Sequence, residues 1–149
     1  MATMVALGLI LDWVLALPRY PSPVFLSLAA ILIGGALFIE ARGTYVLWTV
    51  GLGTPNPIEP PKQLVTEGPY RFSRNPLYVA RVLALFGVAL ALGSLGVLFI
   101  SFFLALGVQL VLLPREERRL SERFGQTYEA YRRRVPKWFS VSASRRRRY

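Results

Sequence analysis

Residues 77–113 read LYVARVLALFGVALALGSLGVLFISFFLALGVQLVLL, thirty-seven positions in which Arg81 is the one charge. As a single helix at about 1.5 Å per residue this stretch would reach about 55 Å, far beyond the roughly 30 Å hydrocarbon core of a bilayer. The segment Leu92-Gly93-Ser94-Leu95-Gly96 offers a turn near its middle, so the run predicts two helices forming a helical hairpin. Two further apolar blocks precede it. One runs from about Met4 to Leu17 and is closed by Pro18; the other runs from Val24 to Ile39, where Gly34-Gly35 offers a place for close helix contact. These blocks are short for spanning helices, near the lower limit of roughly 17 residues, which predicts local thinning or flanking residues drawn inward. The pattern predicts an all-α integral membrane protein with about four transmembrane helices.

Composition agrees. The 149 residues are 54% hydrophobic with a mean hydropathy of +0.43, and the apolar residues fall in blocks. The formal net charge is +10, with 12 of the 18 Lys and Arg in 114–149 and four (Arg42, Lys62, Arg71, Arg74) in 40–76. Those two regions are therefore expected on the cytoplasmic side, with the turns near Pro18–Pro23 and Leu92–Gly96 facing outward. Both termini are then cytoplasmic, which requires an even number of spans in a multi-pass protein. Nucleic acid is not an expected partner, because the cations are not interleaved with base-stacking aromatics on a soluble face. The first 17 residues lack a basic start and carry Asp12, so they are not expected to be a cleaved signal peptide.

The chain has no Cys and no His. Disulfides, thiol nucleophiles, Cys-based zinc sites and imidazole bases are excluded, and no metal site is expected. The chain divides into two helices (1–39), a cytoplasmic loop (40–76), the hairpin (77–113), an amphipathic cytoplasmic helix with its cap (114–138) and a basic tail (139–149). In the loop, Gly51 to Pro61 is dense in Gly and Pro and reads as a stiff linker, with Gly51-x-Gly53 a weak alternative ligand contact. Pro114 suits the start of the amphipathic helix, where Leu120, Phe124, Tyr128 and Tyr131 recur at helical spacing. Gly125 interrupts it at a cost of about 1 kcal/mol, which predicts a kink or close packing.

Polar residues gather at two places. The cassette Gly68-Pro69-Tyr70-Arg71-Phe72-Ser73-Arg74-Asn75-Pro76-Leu77-Tyr78 stands directly before the long run, with Asn75 placed to cap the next helix and Pro76 suited to its first turn. Capping alone does not explain Tyr70, Arg71, Arg74 and Tyr78 around the same turn, and a binding site is expected there. After the run comes Glu116-Glu117. Two acids in a first helical turn stabilise it through the macrodipole by about 0.3–1 kcal/mol each; alternatively one carboxylate receives a cationic or hydroxyl-rich ligand group. Arg81 either snorkels to the interface or faces an acid such as Glu40 or a ligand carboxylate. Asp12 and Gln109 also lie inside apolar stretches; Asp12 is a candidate helix partner or the polar wall of a cavity.

With Phe124-Gly125-Gln126-Thr127-Tyr128-Glu129-Ala130-Tyr131 and Val135-Pro136-Lys137-Trp138 downstream, the arrangement resembles the isoprenylcysteine carboxyl methyltransferase and phospholipid methyltransferase superfamily, from about Gly51 to Trp138. The resemblance implies an integral-membrane enzyme using S-adenosyl-L-methionine to methylate a lipophilic small molecule or lipid (a carboxylate, thiol or amine acceptor) at the cytoplasmic face. It implies a cofactor pocket built from Lys62, Gln63, Leu64, Val65, Tyr70, Asn75, Pro76, Leu77, Tyr78, Glu116 and Glu117, with Arg74 and Arg81 as candidate substrate contacts. Asn75 stands where the family pattern has His, and Lys137 where it has Arg. Leu112 aligns with the Arg that recognises a carboxylate in prenylcysteine enzymes, which counts against that substrate. Two rival readings are a membrane steroid- or sterol-type reductase using NADPH, and a non-catalytic membrane adaptor. In any of these the Arg145–Arg148 tail is expected near anionic headgroups.

Overall fold

The computed structural model describes residues 1–20, 22–52 and 62–139. Among them the chain is helical, with no strand. The helices are α1 (Ala2–Val14), α2 (Pro23–Thr49), α3 (Pro76–Leu92), α4 (Leu95–Gly107) and α5 (Leu113–Arg134). A 3-10 turn occupies Gly68–Arg71, and one π-helical turn occupies Val108–Leu112. The linker expected at 51–61 lies outside the described residues from 53 on, as does the Arg145–Arg148 tail.

Among the described residues two helical paths are long and apolar enough to cross a membrane, Pro23–Thr49 and Leu95–Arg134; α1 and α3 are shorter apolar helices. Only 11% of the most apolar window of α2 is buried, the reverse of a core helix in a soluble protein. Trp13, Phe38, Phe99 and Phe102 are among the large apolar side chains left exposed, as expected where the surrounding medium is hydrocarbon. Hydropathy ended the second block at Ile39, but α2 continues to Thr49. Glu40 and Arg42 change the helix's surroundings without breaking its backbone, so the connection that follows is shorter than the loop drawn from residue 40.

The chain forms two compact units. The first comprises residues 1–38 and 80–112. Here α1 packs on α4 through glycine: a Cβ on Gly8 would stand 2.5 Å from the Val97 Cα, and one on Gly96 would overlap the Gly8 carbonyl oxygen. Asp12, 4% exposed, accepts hydrogen bonds from the Ser94 hydroxyl (2.5 Å) and the Gly96 backbone N–H (2.7 Å). The Ser94 oxygen in turn accepts from the Val97 N–H at 3.0 Å. A carboxylate on one helix thus caps the start of another, satisfying N–H groups that have no intrahelical partner. Gly93 takes φ +56°, where glycine avoids the Cβ penalty, to turn the chain between α3 and α4. The glycine pair expected to admit a neighbour does not: a Cβ on Gly34 or Gly35 meets nothing within 4 Å. The close approach to α2 is made by Gly87 of α3, against Ala29 and Ile33.

The second unit comprises residues 39–79 and 113–149. Val46, Leu47, Val65 and Leu77 form one buried cluster, with Val50 and Tyr70 against it. Tyr128, Tyr131 and Val135 form another, with Leu64, Leu120 and Phe124. Gly125 adopts φ 51°, ψ −127°, so α5 bends at the position its glycine singled out. The backbone N–H of Lys62 donates to the Gly51 carbonyl at 2.8 Å, holding the start of the cassette region against the end of α2.

Candidate functional site

The cassette, both acids and the Val-Pro-Lys segment all belong to the second unit, and their contacts are specific. Pro69 and Pro76 fix the backbone on either side of a tight turn. Inside it the Ser73 hydroxyl, fully buried, donates to the Lys137 carbonyl at 3.2 Å and accepts from the Asn75 N–H at 3.0 Å. The Asn75 side-chain amide donates to the same Lys137 carbonyl at 3.2 Å, and the Arg74 N–H donates to the Pro136 carbonyl at 3.0 Å. The Asn75 carbonyl accepts from Val79 N–H, opening α3. The helix cap read into Asn75 is therefore a main-chain role, while its side chain ties the cassette to residues 136–137.

Charge closes the same junction. Arg74 Nη1 lies 3.1 Å from Glu117 Oε1, each side chain about 10% exposed, and Lys137 Nζ lies 3.7 Å from Glu117 Oε2. Glu117 is thus held between two cations, and Arg74, a candidate substrate contact from sequence, is engaged within the protein. The Tyr131 hydroxyl donates to the Tyr70 carbonyl at 2.7 Å. Burial, with the Glu117 charge adding to it and Arg74 opposing, pushes the Tyr128 phenol above its ordinary range. Burial pushes Tyr131 higher still, reinforced by Tyr70 and Tyr128.

The remaining expected site residues divide by exposure. Lys62 and Gln63 are exposed; Leu64 joins the tyrosine cluster, and Val65 and Leu77 lie in the cluster beneath Tyr70. Pro76 is buried, and Tyr70 and Tyr78 are half-buried. Glu116 differs from its neighbour: it is half-buried and has no hydrogen bond or ion pair among the described residues. Arg81, the other candidate substrate contact, falls in the first unit.

The phospholipid methyltransferase family model matches residues 24–127, more than two thirds of the chain. The chain belongs to the phospholipid methyltransferase family. The match takes in the cassette and both acids, which gives the sequence resemblance its footing. Together with the exposed apolar helices it marks the chain as a membrane protein of a methyltransferase family. No curated protein and no solved structure matches.

A methyltransferase of this family implies a sulfonium cofactor, and the residues present fit one. The half-buried Glu116 carboxylate, without hydrogen bond or ion pair among the described residues, has the chemistry to receive an ammonium or a ribose hydroxyl, and the same unit offers apolar surface at Tyr70 over Val65 and at Leu64 against the tyrosine cluster. Two contributors were not legible in the sequence, Ser73 and the Lys137 carbonyl, whereas Tyr128 and Tyr131 stood out at helical spacing without any sign of the Tyr131 contact to the Tyr70 carbonyl. A buried serine two residues before the helix-opening asparagine is the one local signal of the first.

Proposed function

We propose that this phospholipid methyltransferase family member transfers a methyl group from S-adenosyl-L-methionine to a lipid or lipophilic small molecule at the cytoplasmic membrane face. The observation carrying this reading is the meeting, within one unit, of the cassette and the acids that follow the apolar run, joined by Arg74 and Glu117 at 3.1 Å. Four crossings, with α3 and α4 as a hairpin and both termini cytoplasmic, fit the charge distribution.

The bound cofactor would supply a methyl group on a positively charged sulfur. Glu116 is the residue for its ammonium or hydroxyl groups, Lys62 for its carboxylate, and Leu64, Val65, Tyr70 and Leu77 for its apolar face. Glu117 holds the cassette rather than the ligand. Displacement at a sulfonium neutralises charge, so positioning and exclusion of water contribute much of the acceleration. Asn75 keeps hydrogen-bonding capacity but cannot relay a proton. Tyr128 and Tyr131, with raised pKa values, remain protonated at neutral pH. For an amine acceptor, Glu116 is then the remaining acid of the pair able to take the proton.

The test is calorimetry on the purified full chain in detergent with S-adenosylmethionine, S-adenosylhomocysteine and NADPH. Binding of the first two, weakened at least tenfold by Glu116→Ala with the melting temperature unchanged, is the expected result. Stabilisation by NADPH alone would replace this reading with a reductase, and binding of none with an adaptor. Labelled methyl transfer into membrane lipid extracts then identifies the acceptor.

A further inference from the structure

We infer that the first half of α5 carries a docking surface for anionic lipid headgroups, made by Arg115, Arg119 and Arg123. These residues recur every fourth position and so fall within about 80° of one another around the helix. All three are exposed and none is ion-paired among the described residues. The opposite side carries Leu113, Glu117, Leu120 and Phe124, which are buried or half-buried. Arg118 flanks the stripe but is neutralised by Glu122 at 2.8 Å, with both side chains mostly exposed. With half-buried Glu116 flanking the other edge, the face bears four arginines and two carboxylates, a net of two positive charges. At Gly125 the helix bends, so the stripe ends there and Arg132–Arg134 lie outside it.

Chain connectivity puts this stripe at a membrane surface. Leu113 ends the apolar run, Arg115 follows two residues later, and the helical path Leu95–Arg134 is one of the two long enough to cross. At about 1.5 Å per residue, Arg115 to Arg123 spans about 12 Å of helix, against roughly 5–8 Å for one headgroup layer, so even the far end of the stripe stays within about a Debye length of that layer. Guanidinium groups pair with phosphate oxygens in bidentate fashion. Three of them along one face fit a surface of anionic lipid phosphates rather than one small anion in a pocket, since none is buried. Each cation at such a surface favours the anionic lipid by up to about fivefold, an effect that decays within a Debye length.

The test reconstitutes the full chain in zwitterionic vesicles and measures, by spin-label EPR, the preference of the protein's lipid shell for phosphatidylglycerol over phosphatidylcholine probes. The wild type is expected to prefer the anionic probe about fivefold at low salt, with the preference collapsing in 1 M salt. With the Arg145–Arg148 tail present in every variant, R115Q/R119Q/R123Q lowers the preference at least twofold, R115K/R119K/R123K keeps most of it, and R132Q/R133Q/R134Q, which removes the same number of charges, leaves it unchanged. No preference in the wild type, or equal loss in both glutamine variants, overturns the proposal. Millimolar inorganic phosphate abolishing the preference would also overturn it, by making a free anion the occupant. These measurements need no cofactor or turnover, so their outcome is separate from that of the proposed function.

Discussion

Arg74 and Glu117 meet at 3.1 Å with about a tenth of each side chain exposed, one fixed by the cassette and the other in the first turns of α5. Lys137 approaches the other carboxylate oxygen at 3.7 Å with about a quarter of its side chain exposed. The junction thus holds two cations around one acid, and removing the acid leaves both uncompensated.

Glu117→Gln is accordingly expected to destabilise the second unit by about 3 kcal/mol, within the range for breaking one partner of a buried pair. Replacing both Arg74 and Glu117 with Met recovers most of the loss, and Lys137→Met costs less than about 1 kcal/mol. Chemical unfolding in detergent, arranged as a double-mutant cycle, measures all three. A Lys137 effect as large as that of Glu117 would refute this ranking.

The hydrogen bonds onto the Lys137 carbonyl predict an order among cassette variants. Ser73→Ala removes two bonds at a buried position and is expected to cost about 1–3 kcal/mol. Asn75→Asp replaces a donor with a carboxylate facing that carbonyl, and is expected to destabilise more than Asn75→Ala. Hydrogen exchange around residues 135–138 reports the loosening directly; unchanged protection in Asn75→Asp would contradict it.

In the first unit, Asp12→Ala deprives a buried hydroxyl and a helix-terminal N–H of their acceptor, for an expected loss of about 3 kcal/mol. Asp12→Asn keeps one acceptor oxygen and falls between. Gly96→Ala is expected to be worse than either, because its methyl overlaps the Gly8 carbonyl oxygen. Thermal scans of the three variants give the ranking.

The tyrosine pair predicts alkaline sensitivity. A phenol whose pKa is raised by folding binds its proton more tightly in the folded state, so its contribution is complete below the unfolded value of about 10 and is lost as pH rises above it. Stability is therefore expected to fall above about pH 10. Absorbance of phenolate near 295 nm should show two of the seven tyrosines ionising late, with unfolding. Seven tyrosines titrating together in folded protein would count against it.

Much of this was legible in the sequence where backbone chemistry leaves a local mark. The break at Gly93-Ser94 follows from a glycine and a capping serine inside an overlong apolar run, and the bend at Gly125 from a glycine inside an amphipathic pattern. The prolines around Asn75 announced the cassette. Pairings were not legible: nothing local says that Glu117 rather than Glu116 meets Arg74, or that the third residue of Val-Pro-Lys acts through its carbonyl. Hydropathy reports a residue's preferred surroundings, so it ended the second block at Ile39 although α2 runs ten residues further. Gly34-Gly35 marked an accessible backbone without saying whether a neighbour would use it. Asp12 was visible as a misplaced charge, but its use depends on residues more than eighty positions away.

That last separation bears on how the molecule is made. Asp12 leaves the ribosome when neither Ser94 nor Gly96 yet exists, so the first helix enters its environment with a carboxylate that nothing nearby can accept as a partner. Only the arrival of α4 gives that group its donors. α1 therefore cannot reach its final state independently; it must stay at a hydrated site, or remain loosely held, until much of the chain has been synthesised. The family match begins at residue 24 and ends at 127, leaving out both Asp12 and the Val135–Lys137 strap. A polypeptide trimmed to the matched region would keep the cassette and the acids, yet would lack the residue that completes one unit and the segment that fastens the other.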